Sequence, residues 1–173
     1  AIGLVGSEMC IRDRNDTAGE LPIGVVKLKA YNERQKPGGF AMSLHPRPMP
    51  PVPEETAKIA RAAFPKGNTY MRMRDELGPI FADEQFAELY AKVGQPAASP
   101  AQLALVTVMQ FGEGLSDRAA ARAVVARIDW KYALGLEITD PGFDASVLSE
   151  FRTRLVEGNA ELLLFETMLR LSL

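Results

Sequence analysis

Apolar positions along the chain recur at three- and four-residue spacing and almost never alternate, which predicts helices rather than strands. The clearest case is "SPAQLALVTVMQF": Ser99 is placed to cap, Pro100 to open the helix, and Gln102 to complete a capping box. Apolar nearly all round, this helix is predicted to be the central buried one, with Leu103, Val106 and Met109 in the core. "GEG" breaks it, and Ser116 caps the next helix, "DRAAARAVVARI". "DWKYALG" is read as a short turn. Asp144 is then expected to cap "ASVLSEFRTRLVE", with Phe143 and Leu148 as a hydrophobic staple. Leu148, Phe151 and Leu155 form its inward stripe, Gly158 ends it, and "AELLLFETMLRL" is a last amphipathic helix.

The preceding part has weaker periods. The proline-dense stretch Pro46–Pro53 lacks the backbone donors of a helix or inner strand, so it reads as an extended lead-in. Glu54 and Glu55 then sit where a helix dipole favours acids. "PKGN" stops that helix, Asn68 or Thr69 caps "YMRMRDEL", and "GP" ends it. "ADEQFAELY" puts Phe86, Leu89 and Tyr90 on one helical face, and "GQPAASP" reads as a loop. The class is all-α, a compact multi-helix domain without internal repeats.

The first residues need a separate reading. "LVGSEMCIRDR", Leu4–Arg14, back-translates into a string resembling a sequencing-library adapter, so residues 1–14 are taken as adapter-derived. Residues 15–41 show no helical period and read as an upstream non-native or disordered extension, and residues 1–41 together are expected to pack poorly. Met42 is the expected native start, and 42–173 the helical domain. Setting aside Cys10 leaves no cysteine, hence no disulfide framework and no thiolate for zinc. The one histidine, His45, has no partner cluster for metal binding or base catalysis.

Net charge is −2 over the 173 residues, an acidic balance that does not by itself advertise nucleic-acid binding. No run approaches the length of a membrane span, and the expected location is a bacterial-type cytoplasm. Catalytic chemistry is sparse. Neighbouring acids such as Asp75/Glu76 and Asp83/Glu84 point to different parts of a helix surface, and no nucleophile elbow or phosphate loop appears.

A binding shape remains. Arg118 and Arg122 lie four apart on the Ser116-capped helix, one above the other. Ser146, Ser149, Arg152 and Thr153 share the outward side of the Asp144-capped helix. Arginine with short hydroxyl residues suits a DNA groove, since arginine reaches guanine edges or phosphate and serine and threonine reach either. On this reading the Asp144-capped helix enters the groove, while Arg118 and Arg122 hold phosphates. Lys131 joins the DNA-binding candidates; its flanking Trp130 and Tyr132 stack on a base if exposed and pack in the core otherwise.

The series "EGLSDRAAARAV", "ARIDWKYALGLE" and "DPGFDASVLSEFRTRLVEG", with "MSLHPRPMPPVPEETAKIARAAFPKGN" before it, resembles the N-terminal region of bacterial insertion-sequence transposases. These are DDE-type enzymes whose first part is the InsH N-terminal type of domain. The resemblance runs from about Met42 to about Leu169. It implies a helix-turn-helix-like module that recognises double-stranded DNA at the element's terminal inverted repeats. It also implies a following acidic-triad domain that binds divalent metal, before which this chain stops. No catalytic residue and no cofactor is therefore expected here, and the chain by itself is not expected to be an enzyme. The residues Ile128–Phe143 between the two candidate helices exceed a simple helix-turn-helix turn. The alternative role is a subunit-interaction module that forms a homo-oligomer through the Leu162–Leu171 helix.

Overall fold

The computed structural model describes residues 41–171, and the expectations for residues 1–40 lie outside them. The described chain is mostly helical. A two-residue strand β1 (Met42–Ser43) leads to α1 (Glu54–Ala63), α2 (Thr69–Leu77) and a 3₁₀ segment (Asp83–Leu89). There follow β2 (Gln95–Pro96), α3 (Pro100–Glu113), α4 (Asp117–Ala126), α5 (Ile128–Leu134), α6 (Ser146–Glu157) and α7 (Glu161–Leu171).

Side-chain caps set the starts of α2, α3 and α4, as the sequence predicted. Asn68 Oδ1 accepts from Met71 N–H at 2.9 Å, Ser99 Oγ from Gln102 N–H at 3.3 Å, and Ser116 Oγ from Ala119 N–H at 3.3 Å. Two cap details differ. The Gln102 side chain does not return to its helix start; its Nε2 donates to Leu134 O at 3.0 Å, tying α3 to α5. Asp144 accepts from Ser146 N–H at 2.9 Å, so α6 opens at Ser146, with Ala145 as the boundary residue.

α3 is the central helix, with Leu103, Ala104, Leu105, Val106 and Met109 all buried. Around it pack the 3₁₀ segment, α4, α5 and α6. The inward stripe of α6 is as expected: Leu148, Phe151 and Leu155 are buried, and the Phe151 ring meets Phe86 edge-on at 5.7 Å between centroids. A smaller cluster of Ala60, Met71 and Tyr132 lies between α1, α2 and α5.

The largest correction is α5. The stretch read as a turn is a helix, and Asp129 through Leu134 are all buried. Its residues are covered from several sides, by α1, α2, α3 and α4, so no polar face was left to give a period. Trp130 is 0% exposed and packs in the core.

The Pro46–Pro53 lead-in is extended, as expected, but a strand pair that the sequence did not predict forms ahead of it. β1 runs parallel to β2 in the register Met42↔Gln95, within the stretch read as a loop. Ala91 N–H donates to Met42 O at 3.2 Å and Gln95 N–H to Ala41 O at 2.8 Å. Farther on, the lead-in covers a buried arginine: Arg74 donates to Pro50 O at 2.6 Å and to the Met49 sulfur.

Candidate nucleic-acid interface

α3 and α4 are joined by three residues, Gly114–Ser116. Gly114 takes the left-handed conformation (φ 64°) that glycine adopts without a Cβ penalty. The turn is fixed from inside: Gln110 Nε2 donates to Leu115 O at 3.0 Å and to Asp117 Oδ1 at 2.7 Å. Helix, short glycine turn and second helix thus fall on α3–α4 rather than on α4 and α6.

The outer side of α4 borders an open groove of about 500 Å³. Leu115, Ala119, Ala123 and Ala126 line it together with Arg118, Arg122, Arg127 and Glu113. Arg118 and Arg122 are exposed, and neither has a carboxylate within ion-pair distance among the described residues. Asp144, just ahead of the start of α6, lies within electrostatic reach of Arg118. The Asp144 carboxyl is held below its usual range by the Ser146 hydrogen bonds and, further, by the positive charge of Arg118. Ser146 is exposed beside it in the first turn of α6.

The remaining α6 candidates are placed differently from one another. Arg152 does not point free: its Nη2 donates to Asp117 Oδ2 at 2.6 Å, an ion pair between α6 and the first residue of α4. Hydrogen bonds from Arg152 and Gln110 hold the Asp117 carboxyl low. Ser149 and Thr153 are exposed, with Thr153 Oγ1 turned back onto Ser149 O at 3.0 Å. That back-bond is a common way for threonine to satisfy its hydroxyl inside a helix.

Lys131 leaves the candidate surface. It is 3% exposed, and its ammonium donates to Asp140 O at 2.8 Å and Glu137 O at 3.3 Å, closing the loop after α5. Burial lowers its pKa.

Sequence reading missed Glu113 and Arg127. Arg127 forks between two acids: Nε and Nη2 meet Asp129 at 3.1 and 2.7 Å, and Nη1 meets Glu113 at 2.6 Å. Its guanidinium also lies over the rings of Tyr70 and Trp130, 5.7 and 5.3 Å from their centroids. Burial by itself would raise the Glu113 carboxyl, but hydrogen bonds from Tyr70 and Arg127 outweigh it and hold the group low. An acid in the last helical turn, where the dipole disfavours it, is the one sequence signal that marked Glu113.

Among the described residues no group of three potential metal ligands exists, and no helix is long and apolar enough to cross a membrane. The fold defines a helical domain with an arginine-bearing α4 set against a buried α3. Residues 59–154 match the family model described as "Transposase domain (DUF772)", more than half of the chain, and the chain belongs to that transposase-domain family. No curated protein and no solved structure matches it.

Proposed function

We propose that this domain binds double-stranded DNA through the outer face of α4, as the end-recognition part of a transposase. The carrying observation is the free arginine pair, Arg118 and Arg122, on the second helix of a short-turn helix pair. The assignment differs from the sequence expectation. α4 takes the groove-facing role, the exposed Ser146 at the start of α6 is kept as a phosphate-contact candidate, and Arg152 positions α4 by holding Asp117. Ser149 and Thr153 lie farther along the same outward side of α6. The finer reading is a DDE-type insertion-sequence transposase, acting in the cytoplasm on terminal inverted repeats. Its metal-dependent strand transfer then belongs to a separate acidic-triad domain, and this segment contributes recognition without a cofactor of its own.

The test is titration of the chain with the element's terminal repeat and with scrambled duplex at several salt concentrations. Binding should weaken steeply with salt, because phosphate contacts release counterions. Arg118→Ala or Arg122→Ala should weaken it by about 1–3 kcal/mol if the lost contact is to a base edge. If the contact is to phosphate, the salt slope should instead fall by about one. Absence of binding to either duplex at low salt removes the proposal.

A second reading has its own observation. Leu162, Phe165 and Leu169 on α7 and Val156 on α6 are all about half or more exposed. Such a patch suits subunit contact, with a homo-oligomer forming through α7. Sedimentation of Phe165→Glu against the unsubstituted chain separates the two readings: loss of an oligomer with DNA binding intact assigns α7 to assembly alone.

A further inference from the structure

Arg127 is a cation with one edge committed to the core and the other to the groove. Asp129, itself only 4% exposed, takes Nε and Nη2, and the Tyr70 and Trp130 rings fix the guanidinium plane. The Nη1 edge meets Glu113, whose carboxylate lines the same groove as Arg118 and Arg122. A carboxylate and a phosphate present similar paired acceptor oxygens to a guanidinium. Glu113 moreover closes α3, where the helix dipole opposes a negative charge.

We infer that Glu113 is a built-in surrogate for a DNA phosphate, and that bound duplex displaces it to recruit Arg127 as a third cation of the α4 groove. This rests on the DNA reading above. Losing Glu113 would not free Arg127 from its place, because the Asp129 fork and the two rings remain. Arg122 lies ~6 Å along α4 from Arg118 at helical rise, and Arg127, just past the end of α4 at Ala126, borders the same groove. Free protein holds the third cation neutralised, which limits its attraction to any polyanion that cannot reach into the groove.

The experiment uses the whole chain and a short duplex of mixed sequence, titrated across salt. Glu113→Gln should bind about 3- to 10-fold tighter and steepen the log–log salt slope by about 0.9, one additional phosphate contact. Glu150→Gln removes the same charge from an exposed site on α6 and should change affinity less than twofold, about the weight of a screened surface charge. Arg127→Gln combined with Glu113→Gln should abolish the gain. Tyr70→Phe removes one anchor of Glu113 while keeping the ion pair, so it should give a smaller gain in the same direction even if Glu113→Gln folds poorly. A gain that survives loss of Arg127, or unchanged affinity and slope in Glu113→Gln with the unsubstituted chain binding normally, overturns the surrogate role and leaves the α4 reading standing. Failure of the unsubstituted chain to bind duplex sinks the α4 reading, and this inference with it.

Discussion

Val106→Ala tests the central placement of α3. Val106 is 0% exposed and belongs to the main core cluster. The substitution removes two buried carbons, worth ~1.6 kcal/mol at about 0.8 kcal/mol each. A residual cavity of roughly 40 Å³ adds about 1 kcal/mol if the surroundings do not collapse. Alanine's better helix propensity returns about 0.5 kcal/mol. The net expectation is about 1.5–2.5 kcal/mol of lost stability. Phe111, on the same helix, is 88% exposed, so Phe111→Ala should stay within about 0.5 kcal/mol of the unsubstituted chain. Urea unfolding followed by far-ultraviolet circular dichroism measures both. With m of about 2 kcal/mol/M, Val106→Ala should lower the midpoint by roughly 1 M at unchanged m. A midpoint equal to that of the unsubstituted chain, or an equal loss in Phe111→Ala, would refute the packing argument.

Other outcomes follow from the polar contacts. Lys131→Met should destabilise by about 1–3 kcal/mol through the stranded carbonyls of Glu137 and Asp140, with no change in the salt slope of DNA binding; a slope reduced by one would return Lys131 to the interface. Arg152→Ala should weaken DNA binding through a misplaced α4 while leaving the slope intact, which the same titration reads. Glu113 and Asp117 both have depressed folded-state values. Their stabilisation is therefore full above their unfolded values, about 4, and is lost as pH falls through the lower folded ones. Unfolding midpoints from pH 7 to 3 should decline below about pH 4, and Glu113→Gln should flatten part of that decline.

What was legible in the sequence was local. Ser99, Ser116 and Asn68 announce helix starts because a cap is satisfied within three residues, and the α6 stripe shows because one face is wet. α5 was hidden for the opposite reason. Trp130, Lys131 and Tyr132 are buried side by side, and a lysine ordinarily signals solvent rather than the carbonyls of a following loop. The arginines of the candidate site divide in the same way. Arg118 and Arg122 were identifiable as an exposed pair from their spacing. The commitment of Arg152 to Asp117, 35 residues away, and the meeting of Glu113 with Arg127 depend on how α3, α4 and α6 pack. β1 and β2 are two residues each, too short for alternation to appear.

The segment from Met42 to Pro50 also bears on the order in which the chain assembles. Nearly everything that holds it lies far along the sequence: Ala91 and Gln95 for β1, Asp83 for Arg47 N–H, and Arg74 for Met49 and Pro50. Closing such loops before their partners exist costs chain entropy with nothing gained in return. The strap is therefore a late arrival, laid over helices that have already met. Its release is correspondingly easy to isolate, since Arg74 regains water as Pro50 departs and a buried cation becomes a hydrated one. In native-state hydrogen exchange the amides of Leu44, Ala91 and Gln95 should open together, at lower free energy than those of α3, as one cooperative unit distinct from the core.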